Sequence, residues 1–183
     1  MIPYSTQTIS AQDIKAVTKT MKSFFLTQGP MVEKFEKLLS NKVDAKYAAV
    51  VNSATSALHI SCMALDFKKG DILWTVPNTF SASANCALHL GGKIDFVDIS
   101  YETGNIDVEL LEKKLFISKK KKSLPKILIP VHFAGNPVNQ DQIYNLSKKY
   151  KFKIIEDASH SLGAKYKNEK VGSCKWSDIA VFS

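Results

Sequence analysis

The run KFKIIEDASHSLG, residues 151–163, joins an apolar strand-like stretch to Asp157 and His160 at its C-terminal end. In an open α/β sheet, ligands bind at that end of a strand. Asp157 follows Ile154 and Ile155 with no turn residue between, which predicts a carboxylate at the rim of a buried strand rather than on a solvated loop. An acid placed there needs a partner, whether a cationic ring nitrogen, a basic side chain or the N–H groups of a turn.

Working outward, the chain alternates between helical and strand-like periods. Residues 10–22 (SAQDIKAVTKTMK) carry an N-cap candidate in Ser10 and apolar residues Ile14, Val17 and Met21 at helical spacing. After the Gly29–Pro30 turn, residues 31–42 repeat the pattern through Val32, Phe35, Leu38 and Leu39. Apolar runs then lie at 47–52 (YAAVVN), 71–77 (DILWTVP), 93–99 (KIDFVDI), 125–131 (PKILIPV) and 153–157 (KIIED). Helical stretches at 53–65, 80–92, 108–116 and 139–150 separate them. Such alternation predicts βαβ crossovers and a mostly parallel sheet covered on both faces. SKKKKSLP, residues 118–125, reads as the one loose loop.

Composition bounds the function. A chain of 183 residues, 45% of them hydrophobic, suits one domain with one core. The net charge of +8 is largely local, in the run Lys119 to Lys122 and the cluster Lys148, Lys149, Lys151 and Lys153. Lysine runs of this kind are usually solvated faces or loops, so no nucleic-acid partner is expected. Cys62, Cys86 and Cys174 are odd in number and lack CxxC spacing, which points away from a disulfide framework or zinc site and toward a reduced cytoplasm. Neither a signal peptide nor a stretch of about eighteen apolar residues is present, so no membrane role is expected.

The strand ends supply the chemistry. In VVNSATSALHI, Thr55 and Ser56 fall at a helix start, either as a plain N-cap or as part of a cradle for an anion such as phosphate. In TVPNTFSASAN, Phe80 stands just past the strand, either as a core aromatic or as a ring to stack on a planar ligand. VHFAGNP places His132 before a turn, where a histidine is more often structural than catalytic. Neither GxxxxGK[ST] nor GxGxxG occurs. An acid, an anion cradle and an aromatic at three strand ends match what pyridoxal phosphate needs: a carboxylate for the pyridine nitrogen, a helix N-terminus for the phosphate and a ring against its face. No lysine in the chain sits at a strand end where a desolvated amine would form a Schiff base.

NSATSALH (52–59), VPNTFSASAN (76–85), IEDASHSLGAKY (155–166), Val171 with Gly172, and the terminal AVFS (180–183) together resemble the ordered motifs of the DegT/DnrJ/EryC1/StrS sugar aminotransferases. The resemblance covers nearly the whole chain. PYS, FLTQGP and HFAGNPV further resemble the branch that aminates UDP-4-keto-6-deoxy-N-acetylhexosamines toward pseudaminic acid, in polysaccharide or glycan sugar biosynthesis. The resemblance implies a three-layer α/β/α large domain of the aspartate-aminotransferase fold, fold type I, with pyridoxal 5'-phosphate as cofactor. Asp157 would pair the pyridine nitrogen, Thr55, Ser56 and Ser183 would hold the phosphate, Phe80 would cover the ring, and His160 would lie beside the cofactor. Tyr4, Thr27 and Gln28 would touch substrate.

The resemblance also implies a chain about twice as long. Residues 1–45 are then a helical lead-in and 46–183 the βα units of a truncated large domain, with the small domain absent. The Schiff-base lysine falls a few residues past Ser183, so the chain as it stands is expected not to turn over. The full-length form is expected to be a cytoplasmic homodimer that takes an amino group from glutamate and passes it to the C4 ketone of a nucleotide-linked sugar. Three other readings stay open: a sugar dehydratase of the same family with histidine in place of the lysine, a different nucleotide- or cofactor-binding α/β domain, and a non-catalytic binding or regulatory module.

Overall fold

The computed structural model describes residues 6–183. Helix α1 (Ala11–Met21) begins on a capping box: the Ser10 hydroxyl accepts the Asp13 N–H at 3.2 Å and the Asp13 carboxylate accepts the Ser10 N–H at 2.7 Å. Helix α2 (Pro30–Val43) starts with proline at a position where the missing N–H costs nothing, and stops at Asp44 in the left-handed region, φ 59°. The apolar stripes of both helices, Ile14, Val17 and Met21 on one and Phe35 and Leu38 on the other, are exposed.

The rest of the chain builds a sheet of five parallel strands in the order β2-β1-β3-β4-β7. These are β1 (Ile72–Thr75), β2 (Lys93–Phe96), β3 (Ile127–Leu128), β4 (Lys153–Asp157) and β7 (Ile179–Val181). Helices α3 (Ala54–Ala64) and α4 (Ala82–His89) cover one face, and α5 (Val108–Lys120) and α6 (Gln140–Tyr150) cover the other. Neighbouring residues on a strand serve opposite cores. Leu73, Ile127 and Ile155 pack with Leu58, Cys62, Cys86 and Val181, whereas Trp74, Leu128 and Ile154 pack with Leu111, Leu115, Ile143 and Leu146. Continuous apolar strands follow from this double coverage, and the three-layer α/β/α expectation holds.

Three segments differ from the sequence reading. Residues 47–52 form no strand among the described residues; Tyr47, Val50 and Val51 are exposed, and the Val50 N–H is bound by the Glu36 carboxylate at 2.9 Å instead of by a neighbouring strand. An apolar run becomes a strand only where another strand offers it a ladder. The expected loop at 118–125 is in its first part helix: α5 continues to Lys120 because Ser118 is buried one turn beyond Leu115, and lysine is a good helix former. Finally, a hairpin of β5 (Lys165–Tyr166) and β6 (Glu169–Lys170), and strand β7 after it, were not anticipated from two- and three-residue runs.

The hairpin is tied to α6 by one polar cluster. The Tyr166 hydroxyl donates to Asp141 at 2.6 Å, Lys167 pairs with the same carboxylate, and the Tyr166 ring meets Trp176 edge-on at 5.5 Å. Lys167 and Tyr166 hold the Asp141 carboxyl below its usual range, while burial, with Asp141 beside it, pushes the Tyr166 phenol up to about 12. A phenol whose pKa is raised by folding stabilises the fold while protonated. That contribution is complete below the unfolded value of about 10 and is lost as pH rises through about 12. Ultraviolet titration is expected to show one tyrosine ionising near pH 12, and Tyr166→Phe is expected to remove both that transition and the matching loss of stability. A Tyr166→Phe protein with an unchanged alkaline titration would show that the transition does not belong to Tyr166.

Candidate active site

Because all five strands run parallel, their C-terminal ends share one rim. Asp157 ends β4 and is pinned there by the backbone: its N–H donates to the Pro130 carbonyl at 2.9 Å and its carbonyl accepts the His132 N–H at 3.0 Å. The next residue, Ala158, donates its N–H to Val181 of β7 at 2.8 Å. The carboxylate is 5% exposed. One oxygen, Oδ2, accepts the Ser83 hydroxyl at 2.6 Å, while Oδ1 accepts the Ser159 hydroxyl at 2.7 Å and the Ser159 N–H at 3.3 Å.

Ser83 is a residue that sequence reasoning missed. It lies on the first turn of α4, fully buried, and its hydroxyl also meets Thr79 Oγ1 at 2.9 Å. A hydroxyl has one hydrogen, and Ser83 gives it to Asp157, so Thr79 must be the donor in the second contact. Two hydroxyls therefore point in series at one carboxylate oxygen, each strengthening the next. Local spacing carried no signal for it, since Thr79 lies before α4 and meets Ser83 only through the turn that precedes the helix.

Around this acid the rim loops are joined by side chains. Asn105, 5% exposed, accepts the Phe133 N–H at 2.9 Å and donates to the Asn136 carbonyl at 3.0 Å. Asn78 donates to the Gly104 carbonyl at 3.4 Å. At Gly135, φ is +83° and an added Cβ would stand 2.9 Å from the His160 carbonyl, so only glycine lets the HFAG turn close on the DASH turn. His132 is structural, in line with the more common role of such histidines. Its Nδ1 accepts the Val138 N–H at 3.1 Å, which leaves the proton on Nε2 for Glu156 Oε2 at 3.0 Å. Glu156, also unanticipated, is buried on the sheet face opposite Asp157.

Of the remaining predicted residues, Thr55 and Ser56 open α3 and Phe80, His160 and Ser183 follow strand ends, all at the same rim with differing exposure. Leu58 and Cys62 of α3 pack with Ile155 and Val181, which brings the N-terminus of α3 beside the ends of β4 and β7. The cap of that helix is Ser53, whose hydroxyl accepts the Ser56 N–H at 3.1 Å, and Ser56 in turn donates to Asn52 Oδ1 at 2.8 Å. Thr55 is exposed in the first turn and does not cap the helix. The first N–H groups of a helix, here those of Ala54 and Thr55, have no intrahelical acceptor and face outward with the positive end of the dipole.

Phe80 is 73% exposed, which rules out a core role. His160 is exposed, and Ser183 is exposed two residues past β7. Thr27 and Gln28 lie in the exposed loop between α1 and α2, and no hydrogen bond among the described residues joins them to the rim. Tyr4 lies outside the described residues. Behind the site, Cys62 and Cys86 touch at 3.7 Å as free thiols; their shared hydrogen bond pushes the Cys62 thiol up and draws the Cys86 thiol down, and since both are buried in the core the pair is a packing contact.

The rim can thus hold a ligand with a cationic edge against Asp157, an anionic group at α3 and a planar body beside Phe80. Ser83→Ala is expected to cost about 1–3 kcal/mol, because Thr79 loses its acceptor and Oδ2 its buried donor. Ser83→Thr, which keeps the hydroxyl, is expected to recover part of that loss in denaturant unfolding. Equal stability of Ser83→Ala and wild type would show that the hydroxyl series contributes nothing.

Known proteins are similar to this chain in sequence and fold. A transaminase of UDP-4-amino-4,6-dideoxy-N-acetyl-beta-L-altrosamine from Campylobacter jejuni is 46% identical over 183 residues, which is all of this chain and 47% of that protein. Among solved structures, Helicobacter pylori PseC, an aminotransferase of pseudoaminic acid biosynthesis, superposes with TM-score 0.87 at 34% identity over 99% of this chain and 47% of its own. The PLP-form of Spr1654 from Streptococcus pneumoniae gives TM-score 0.87 at 29% identity over 100% and 48%. The chain therefore spans about half the length of the curated relatives it matches. Residues 7–183 match the DegT/DnrJ/EryC1/StrS aminotransferase family as a whole, and the chain belongs to that family.

Proposed function

We propose that the full-length protein is a pyridoxal-phosphate-dependent aminotransferase that moves an amino group from glutamate to the C4 ketone of a UDP-linked deoxysugar. Residues 1–183 form part of its cofactor-binding large domain: 1–45 the helical lead-in and 46–183 the βα units. The single observation that carries the reading is the hydrogen-bonded, buried carboxylate of Asp157 at the end of β4. The relation to the Campylobacter jejuni transaminase supports the sugar substrate.

The residues at the rim fit the cofactor. Asp157 Oδ2 accepts only one hydrogen bond among the described residues, so a lone pair remains for a pyridinium N–H. The outward N–H groups at the start of α3, with the Thr55 hydroxyl and that of Ser56 once it turns from Asn52, suit a phosphate, and Ser183 adds a hydroxyl from the neighbouring strand end. Bound there, the cofactor supplies an electron sink for the carbon that loses its proton.

This chain's own residues set that chemistry up. Ser83 and Ser159 fix the plane of the Asp157 carboxylate, so that its free lone pair meets a ring nitrogen at constant angle. Phe80 closes one ring face to water, and the exposed His160 lies in the turn that follows Asp157. Proton transfer at the reacting carbon falls to a lysine that we place in the sequence following Ser183. Thr27, Gln28 and Tyr4 remain proposed substrate contacts, and the working form is proposed to be a cytoplasmic homodimer.

The direct test is incubation of the full-length protein with glutamate and a UDP-4-keto-6-deoxy-N-acetylhexosamine. Stoichiometric 2-oxoglutarate and 4-amino sugar are expected, and the absence of both, with no bound cofactor, would sink the proposal. Within that assay Asp157→Asn is expected to lower transamination by orders of magnitude with the fold intact; near-normal turnover would remove Asp157 from the pyridine role. Thr55→Ala is expected to raise the cofactor dissociation constant about tenfold, the value of one charge-assisted hydrogen bond, and unchanged affinity would exclude Thr55 from the phosphate site.

A further inference from the structure

The lysine cluster near residue 150 takes no part in the rim. Lys153 opens β4 and Asp178 precedes β7, so their surroundings lie at the opposite end of the sheet from Asp157. There a cavity of about 350 Å³ is lined by Lys148 and Lys151 from the end of α6, Lys153 from β4, and Lys175, Ser177 and Asp178 from the loop before β7. None of these is a rim residue. The cluster seen in sequence divides here: Lys149 turns away to Glu112 at 2.8 Å, and distant Lys175 takes its place.

The charges in this cavity are not balanced. Lys153 pairs with Asp178 at 2.7 Å and Lys175 pairs with Glu169. Lys148 and Lys151 have no carboxylate partner among the described residues; Lys148 lies over the Tyr144 ring at 4.5 Å. The C-terminus of α6 offers these lysines a partial negative charge, but about half a charge does not neutralise two ammonium groups. A second observation is independent of charge. The Ser177 hydroxyl is buried with no hydrogen bond of ordinary geometry. Its polar neighbour is the thiol of Cys174, a weak partner, whose pKa burial raises and Ser177 only partly restores. Buried hydroxyls without a real partner are uncommon in native structures, and a water, an ion or a ligand oxygen meets them where they occur.

We propose that this cavity is a second, non-catalytic binding site for a small phosphate-bearing molecule, held by the ammonium groups of Lys148, Lys151 and Lys175 with the Ser177 hydroxyl as a neutral donor. Its volume lies near the lower end of small-molecule sites, about 300–1,000 Å³, enough for a diphosphate. Three ammonium groups converging from two segments favour a multiply charged phosphate over a single carboxylate. Lysines act as point charges without the fixed fork of arginine, so the site selects charge more than shape.

The test uses the full-length protein with its cofactor bound, so that the rim phosphate site is filled, and inorganic pyrophosphate as the titrant in calorimetry. Saturable binding is expected, weakened at least about tenfold in Lys148→Glu/Lys151→Glu and about tenfold in Ser177→Ala if one hydrogen bond to phosphate is lost. Should the charge-reversed protein not fold, Lys148→Gln/Lys151→Gln serves instead, with weaker binding again expected. Turnover without pyrophosphate is expected to stay unchanged in all three variants. No saturable binding to wild type would overturn the proposal, as it would if sequence following Ser183 fills the cavity. Equal affinity in the lysine variants would also overturn it, since the anion would then sit elsewhere. Transamination is read separately, so failure here leaves the proposed catalytic function standing.

Discussion

The position of Asp157 is set by three backbone hydrogen bonds before any side chain is considered. Its N–H and carbonyl are held by Pro130 and His132 on one side, and the following Ala158 N–H is held by Val181 on the other. A residue bonded to both neighbouring strands has little freedom in φ or ψ, so its carboxylate leaves the sheet in a fixed direction. That direction decides what can surround it: Ser83 from the start of α4, Ser159 from its own turn, and the N-terminus of α3 along the same rim. Replacing the parallel register by any slip of one residue would send Asp157 to the other core and Glu156 to the rim.

Strand β4 carries two adjacent buried acids, and the sheet gives each a different solution. Asp157 accepts neutral hydroxyls and an amide, which leave a lone pair directed to the rim. Glu156, on the opposite face, accepts the Nε2 proton of His132, whose other nitrogen is fixed by the Val138 N–H. The second arrangement is closed, since every partner lies inside the protein. It orients the HFAGNP turn, and that turn meets the DASH turn at Gly135. Glu156 thus helps hold the loop against which the turn after Asp157 packs.

What the sequence made legible was what depends on local pattern. The helix start at Ser10, the parallel alternation and the rim position of Asp157 follow from spacing and capping chemistry alone, whereas the cap of α3 is Ser53 rather than Thr55 or Ser56. What it hid depends on contacts between distant segments. Ser83 and Asp157 are 74 residues apart, and nothing about a serine in FSASAN says that its hydroxyl is buried against a strand end. Asn105 reads as a turn residue until it is seen bridging two loops. The apolar run 47–52 failed for the opposite reason: local pattern says strand, but pairing is a property of the neighbour, and Val50 found a glutamate. Lysines 119 and 120 read as a loop from charge, whereas buried Ser118 keeps that turn helical.

The uneven distribution of charge in the chain follows from the direction of the sheet. At the C-terminal rim the strands end on Asp157 and on hydroxyls and amides that together can bind one cationic edge and one anionic group. At the other end, α6 finishes and β4 begins within three residues, so the lysines that complement a helix C-terminus and those that start the strand converge on one place. Lys175 then arrives from the loop before β7, paired with Glu169, and does not relieve the excess. A formal charge of +8 spread evenly would say little about binding. The share of it carried by Lys148 and Lys151, gathered at a cavity beside an unsatisfied hydroxyl and separated by the length of the sheet from the rim, gives the domain two chemically distinct ends.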